Sequence, residues 1–278
     1  MVDDKNSENT GRRPARSAAQ PDRVVKRRPH AAAPRRSGPD RARRTQPQQP
    51  IGPDAAGVPG RPLIPATVEA KQLAPDVRAE LFTLDKSTAD TVARHLVAAG
   101  ELLDADPEAA LSHAQAARAR SGRIAAIREA VGIAAYHCGD WAQALSEFRA
   151  ARRMGSKSAL LPLIADCERG VGRPERAIEL ARSPEAAALT GDDADEMRIV
   201  AAGARADLGQ LDQALAVLSS PALDPSRTGS TAARLFYAHA ETLLALARPD
   251  DALGWFMKSA AADIHGVTDA EDRIDELS

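Results

Sequence analysis

The chain has 278 residues, 27% of them charged and 3% aromatic, with a formal net charge of −2. That length provides ample material for a buried core, and no stretch approaches the roughly 18 consecutive apolar residues that a membrane-spanning helix needs. The near-neutral total hides a strong polarity. Residues 1–62 carry 14 Lys and Arg against 6 Asp and Glu, a net of +8, and the remainder carries 23 against 33, a net of −10. The start of the chain, with Asp3, Asp4 and Lys5 and no apolar core, does not read as a secretory signal. The only cysteines are Cys138 and Cys167, without metal-ligand spacing, so a reducing, cytoplasmic setting is expected.

Residues 1–62 contain no aromatic residue, many prolines, and paired arginines at Arg12-Arg13, Arg27-Arg28, Arg35-Arg36 and Arg43-Arg44. Such a segment buries too little apolar surface to offset an ordering entropy of about 1–2 kcal/mol per residue. It is expected to be a disordered basic tail, stiffened by Pro47, Pro50, Pro53, Pro59, Pro62 and Pro65 into an extended linker. Residues 63–87 read as linker with a short amphipathic helix, in which Val77, Leu81 and Leu84 follow Pro75-Asp76 at helical spacing. Ser87 and Asp90 then have capping-box spacing. From residue 88 to about 262 the chain is rich in Ala, Leu and Arg without an alternating β-branched run, so the whole stretch is expected to be helical. Thr268 and Glu271, with Ile274 and Leu277 beyond them, predict a brief terminal helix within residues 263–278 that covers the end of the array.

An internal repeat organises the helical stretch. Ala110, Ala144, Ala177, Ala214 and Ala252 are spaced by 34, 33, 37 and 38 residues. Twelve residues before each stands a small residue: Ala98, Gly132, Ala165, Ala202 and Ala240. Five before each, where a tight turn falls, stand Ala105, Gly139, Gly172, Gly209 and Ala247, and four after each stand Ala114, Phe148, Ala181, Leu218 and Phe256. These offsets describe helix–turn–helix units. Small residues let two backbones approach, Gly or Ala tolerates the reversal, and Asp106-Pro107, Asp140, Pro174 or Pro249 starts the second helix. The larger residue one turn on then fills the interface with the next unit.

This pattern resembles the tetratricopeptide repeat family over roughly residues 88–262. The fullest unit runs from Ala130 to Ala151, with Gly132, Gly139-Asp140-Trp141, Ala144, Phe148 and Ala151 at the family positions. The last unit matches through Ala240, Ala252 and Phe256, and the others at the small residues and the turn. The Ala- and Arg-heavy usage is similar to that of actinobacterial repeat proteins with basic tails. The resemblance implies an all-α solenoid of about five antiparallel helix pairs. The sequence departs from the family in the two longer spacings and in Pro184 and Pro221, where proline is expected to end the second helix early and leave loops over residues 185–193 and 222–230. Pro162 lies near a helix start, where its missing donor costs little.

No phosphate-binding Gly-x-x-x-x-Gly-Lys, His-Glu-x-x-His, Gly-x-Ser-x-Gly or Cys-x-x-Cys occurs, so no catalytic residue, cofactor site or metal site is expected. His95, His137 and His239 fall in first helices as packing or groove residues, and the cysteines read as small apolar fillers. In a solenoid of this kind the first helices line the concave face. In that register the partner-binding candidates are His95, Glu129, Tyr136, His137, Asp166, Arg169, Tyr237 and Glu241. The family's Lys and Asn clamp for chaperone tails is missing, which argues against a co-chaperone. The expected function is a non-catalytic adaptor that captures a protein or peptide segment, with no small-molecule substrate and no membrane. An alternative is an RNA- or ribosome-associated protein whose tail arginines (Arg12, Arg13, Arg27, Arg28, Arg35, Arg36, Arg43 and Arg44) contact phosphates without base preference, since no aromatics are interleaved for stacking. A repeat domain serving beside an enzyme is a further reading. The tail reads equally as a flexible arm or as a segment that docks on the chain's own acidic surface.

Overall fold

The computed structural model describes residues 62–156 and 158–278. The tail arginines, with the extended linker up to residue 61, lie outside the described residues. Within them the chain is all-helical, with no strand. After a 3₁₀ turn at Ala70–Gln72 come α1 (Pro75–Glu80), a second 3₁₀ turn (Leu81–Thr83), α2 (Lys86–Leu102), α3 (Pro107–Arg120), α4 (Ala125–His137) and α5 (Trp141–Arg153). Then follow α6 (Leu161–Gly170), α7 (Pro174–Ala181), the single-turn α8 (Pro184–Ala187), α9 (Gly191–Asp207), α10 (Leu211–Ser219), α11 (Ser230–Ala245), α12 (Pro249–Ala262) and α13 (Ala270–Leu277). No described helix is long and apolar enough to cross a membrane.

Each long helix packs on the one that follows it: α2 on α3, α4 on α5, α6 on α7, α9 on α10 and α11 on α12. The repeat positions sit at these crossings. Ala110, Ala144, Ala177, Ala214 and Ala252 are wholly buried, and Ala98, Ala165, Ala202 and Ala240 face them from the partner helices, also buried. Gly132 is the tightest case. A Cβ there would lie 2.6 Å from the Phe148 ring, so the ring lies where any side chain at 132 would stand.

Four of the five turns share one geometry. Gly139, Gly172, Gly209 and Ala247 adopt positive φ, at 74°, 78°, 72° and 57°. The amides of Asp140, Arg173, Gln210 and Arg248 then reach back to the carbonyls of Ala135, Glu168, Arg205 and Leu243, which satisfies carbonyls the helix leaves open. Ala105 departs from this geometry: it is not among the positive-φ residues, and Asp106 N donates to Leu102 O at 2.8 Å. The second helices start as expected. Asp106 accepts from Ala109 N, Asp140 accepts from Gln143 N, and Pro107, Pro174 and Pro249 occupy first positions.

The residue one turn beyond each crossing joins neighbouring units. Phe148 clusters with Leu160 and Ile164 near α6, Leu218 with Leu235 of α11, and Phe256 with Ala270 of α13. Ala181, only half-buried, ends α7 without such a plug. Beyond it Ser183 caps α8, so Pro184 opens a turn of helix instead of a bare loop.

Two caps differ from expectation. Asp85, not Ser87, caps α2, accepting from Ser87 N and Thr88 N, and these bonds hold its carboxyl well below the usual range. The aspartate precedes the serine and reaches two open amides at once, which a hydroxyl one turn further in does not. Likewise α13 starts at Ala270 without a side-chain cap from Thr268. Asp263 instead accepts from the amides of Val267 and Thr268 and from the Thr268 hydroxyl.

Ala247 carries the left-handed conformation without glycine's freedom, at a cost of about 1–2 kcal/mol. Ala247→Gly is expected to raise the unfolding free energy by about 0.5–1 kcal/mol in urea titration. Gly132→Ala is expected to lower it by about 1–3 kcal/mol through overpacking against Phe148.

Candidate functional site

The first helices α6, α9 and α11 contact one another in turn, and α2 contacts α4, so their outward residues share a face. The middle of that face carries a polar chain. The Tyr136 hydroxyl of α4 donates to Asp166 of α6. Asp166 also accepts from Arg169 one turn along, at 2.9 Å, and Arg169 reaches on to Asp207 of α9 through Nε (2.8 Å) and Nη2 (3.2 Å). Tyr136, Asp166 and Arg169, three of the sequence candidates, are thus brought into one network that spans three successive units.

The local chemistry explains the arrangement. Tyr136 packs edge-on against Trp141, with ring centroids 4.9 Å apart. The Arg169 guanidinium lies over Gly203, where a Cβ would stand 2.5 Å from Cζ. Burial alone pulls the Arg169 pKa down, but the hydrogen bonds and charges of Asp207 and Asp166 more than offset it, so the cation is held firmly charged. Asp207 and Gly203 escaped sequence reading, although their register positions on α9 match those of His137 on α4 and Asp166 on α6.

The remaining candidates stand apart from this network. Glu129, half-buried on α4, accepts from Ser158 Oγ at 2.8 Å. His137 ends α4 with its ring 6.2 Å from Tyr136. Tyr237 is buried against Phe256 at 5.3 Å, its phenol pushed far up by burial, a hydrogen bond with Asp269 and the charge of Glu241. Glu241 accepts from Arg273 Nε at 2.9 Å, so α13 is drawn onto α11 at the register position where Asp166 stands on α6. His95 is buried, and its Nδ1 lies 3.0 Å from Nδ1 of the equally buried His113. Burial pushes the His113 pKa down.

A second polar feature lies between α10, α11 and α12, where a cleft of ≈ 190 Å³ is lined by Ser219, His239, Arg248, Asp251 and Trp255 among others. Ser219 Oγ donates to Leu215 O at 2.7 Å, so its single proton is committed. His239 Nε2–H therefore donates to Ser219 Oγ, 3.2 Å away, and Nδ1 is left as a buried acceptor without a hydrogen bond. The imidazole stacks on Trp255 at 4.6 Å, which also carries Lys258 Nζ 3.9 Å from its ring centre. Burial and the cations Lys258, Arg248 and Arg198 push the His239 pKa down to about 4. Sequence reading assigned this histidine to packing, and no spacing signal ties Ser219 or Trp255 to it.

Among the described residues no group of three or more His, Cys, Asp or Glu gathers at metal-binding geometry. Cys138 is half-buried, and burial with the charges of Glu108, Asp140 and Asp106 raises its thiol pKa. Compared with known proteins, the chain is matched by no family model and by no curated protein.

Two outcomes follow from this geometry. Arg169→Ala strands Asp166 in a buried site and is expected to cost about 2–4 kcal/mol in urea unfolding. Arg169→Lys should recover less than half of that, because an ammonium does not bridge two carboxylates in a plane. His239 resists protonation until about pH 4, whereas the unfolded chain takes that proton near pH 6.5. Stability is thus fully present above about 6.5 and falls toward 4, by on the order of 2 kcal/mol. Measured across that window, the fall should shrink in His239→Phe.

Proposed function

We propose that the chain is a non-catalytic adaptor: a solenoid of five antiparallel helix pairs of the tetratricopeptide type that holds a protein segment along its first-helix face in a cytoplasmic setting. The observation that carries this reading is the polar chain Tyr136–Asp166–Arg169–Asp207, contributed by α4, α6 and α9 in sequence. A run of this kind lays aromatic, hydroxyl and charged groups along one line with fixed rotamers, which suits an extended or helical peptide better than a compact small molecule. Half-buried Ile133, Leu163 and Ile199, on these same three helices, give such a segment apolar contacts. The small residues at every crossing and the shared turn geometry support the tetratricopeptide reading of the repeat.

The test keeps the fold and changes the face. Tyr136→Ala combined with Glu129→Ala is expected to abolish a partner recovered by chemical cross-linking and mass spectrometry, with helical circular dichroism unchanged. Arg176→Ala, an exposed change on α7, should leave that partner in place. An unchanged partner set in the double variant would rule the groove out. The charge of +8 on residues 1–62 favours a second reading, in which the tail contacts RNA phosphates. Deleting residues 1–61 should then remove a mobility shift that weakens steeply with salt, and no shift for the full chain at low salt ends that reading.

A further inference from the structure

We propose that the cleft at the N-terminal end of the helical array is a docking site for the chain's own residues 51–58, which close that end over α2. This inference is independent of what binds the first-helix face.

A stack of helices leaves an apolar surface at each end, and an end element must cover it. At the C-terminal end α13 does so, with Ile274 and Leu277 packed into the cluster of Phe256 and Tyr237. At the N-terminal end the cover is incomplete. Between α1, the turn Leu81–Thr83 and α2 opens a cleft of ≈ 640 Å³, with Ala70, Leu81, Phe82, Ala89 and Ala93 as its apolar lining. Phe82 is 82% exposed, the most exposed large hydrophobic residue among those described. A phenylalanine in water beside an open apolar cleft is a surface that lacks its occupant.

The position of the chain identifies that occupant. Val68 is buried, and its carbonyl accepts from Arg94 Nε of α2 at 3.1 Å. Ile64 packs into the same cluster as Leu81. The segment before Pro62 therefore enters at the end where the cleft lies. At roughly 3.3 Å per residue, residues 51–58 are within about 13–36 Å of extended chain from Pro62.

Two apolar residues fall in that window, Ile51 and Val58. The nearest alternative, Val24-Val25, must close a much longer loop, and Arg23, Lys26, Arg27 and Arg28 flank it. Those cations would meet Arg78 and Lys86, which border the cleft with Asp90. By contrast, Asp54 is the one charged residue between Arg44 and Arg61 and pairs with that basic border. Docked in this way, the segment anchors the Arg-rich arm to the end of the array, so the arm starts from a fixed point at about residue 50.

The experiment places the photoreactive residue benzoylphenylalanine at position 82 of the full chain, which keeps an aromatic ring there. After irradiation and digestion, mass spectrometry should find cross-links within one chain to residues 51–58, independent of protein concentration. Cross-links that join two chains, cross-links to residues 1–44, or none at all would each overturn the proposal. A second measurement uses the unaltered chain. Elastase should cut at Ala55-Ala56 roughly tenfold more slowly than at the Ala31–Ala33 tract, because docking protects the backbone. Ile51→Asp with Val58→Asp should make the two rates equal, and equal rates in the unaltered chain would also overturn it.

Discussion

Close approach of two helix backbones at a small residue is the contact from which the rest of this protein follows. Where alanine meets alanine, as at Ala165 and Ala177 or Ala240 and Ala252, both residues are wholly buried and the helices touch along their length. The apolar gain at each such contact is small, since a methyl group buries little area. Its value is positional. Once two helices lie that close, the side chain one turn further on is thrust out of the pair and into the next one, and Phe148, Leu218 and Phe256 become plugs between units. Removing one such plug is expected to cost about 3–5 kcal/mol, whereas enlarging the small residue displaces it.

Charge pairs of an unusual kind set the angle between units. Glu147, Glu168 and Asp195 are all buried, and each is flanked by two arginines, at least one of them from a different element. Glu147 of α5 takes Arg118 of α3 and Arg128 of α4. Glu168 of α6 takes Arg149 of α5 and Arg173 at the turn before α7. Asp195 of α9 takes Arg198 and, from the segment before α11, Arg227. A buried carboxylate is costly alone and tolerable only when its partners are correctly placed, so each cluster penalises misaligned neighbours more than it adds to stability. Arg198 also donates to the carbonyls of Leu218 and Pro221, which pins the long connection after α10 where the repeat spacing is irregular.

The same logic governs the first-helix face. Tyr136, Asp166, Arg169 and Asp207 lie in register from unit to unit, and each satisfies the next. A surface built this way is rigid before any partner arrives, so less side-chain entropy is lost on contact. It also ties partner recognition to the stacking of α4, α6 and α9, because a shift of one helix breaks the line.

Helix positions, the turn residues and the buried small residues were legible in the sequence because they obey local rules. Residue spacing reports periodicity, and Gly139, Gly172 and Gly209 mark backbone conformations that few other residues adopt. The terminal helix with Ile274 and Leu277 was visible for the same reason. Other features depend on residues far apart in the chain. No spacing links Glu147 to Arg118, Asp207 to Arg169, or Ser219 to His239, and a histidine read as a groove residue, His95, lies instead against His113 inside the first pair. Which side chains face a partner helix and which face outward was decided only when the helices packed. The crossing geometry rotates each helix by an amount that its own pattern of apolar residues does not determine.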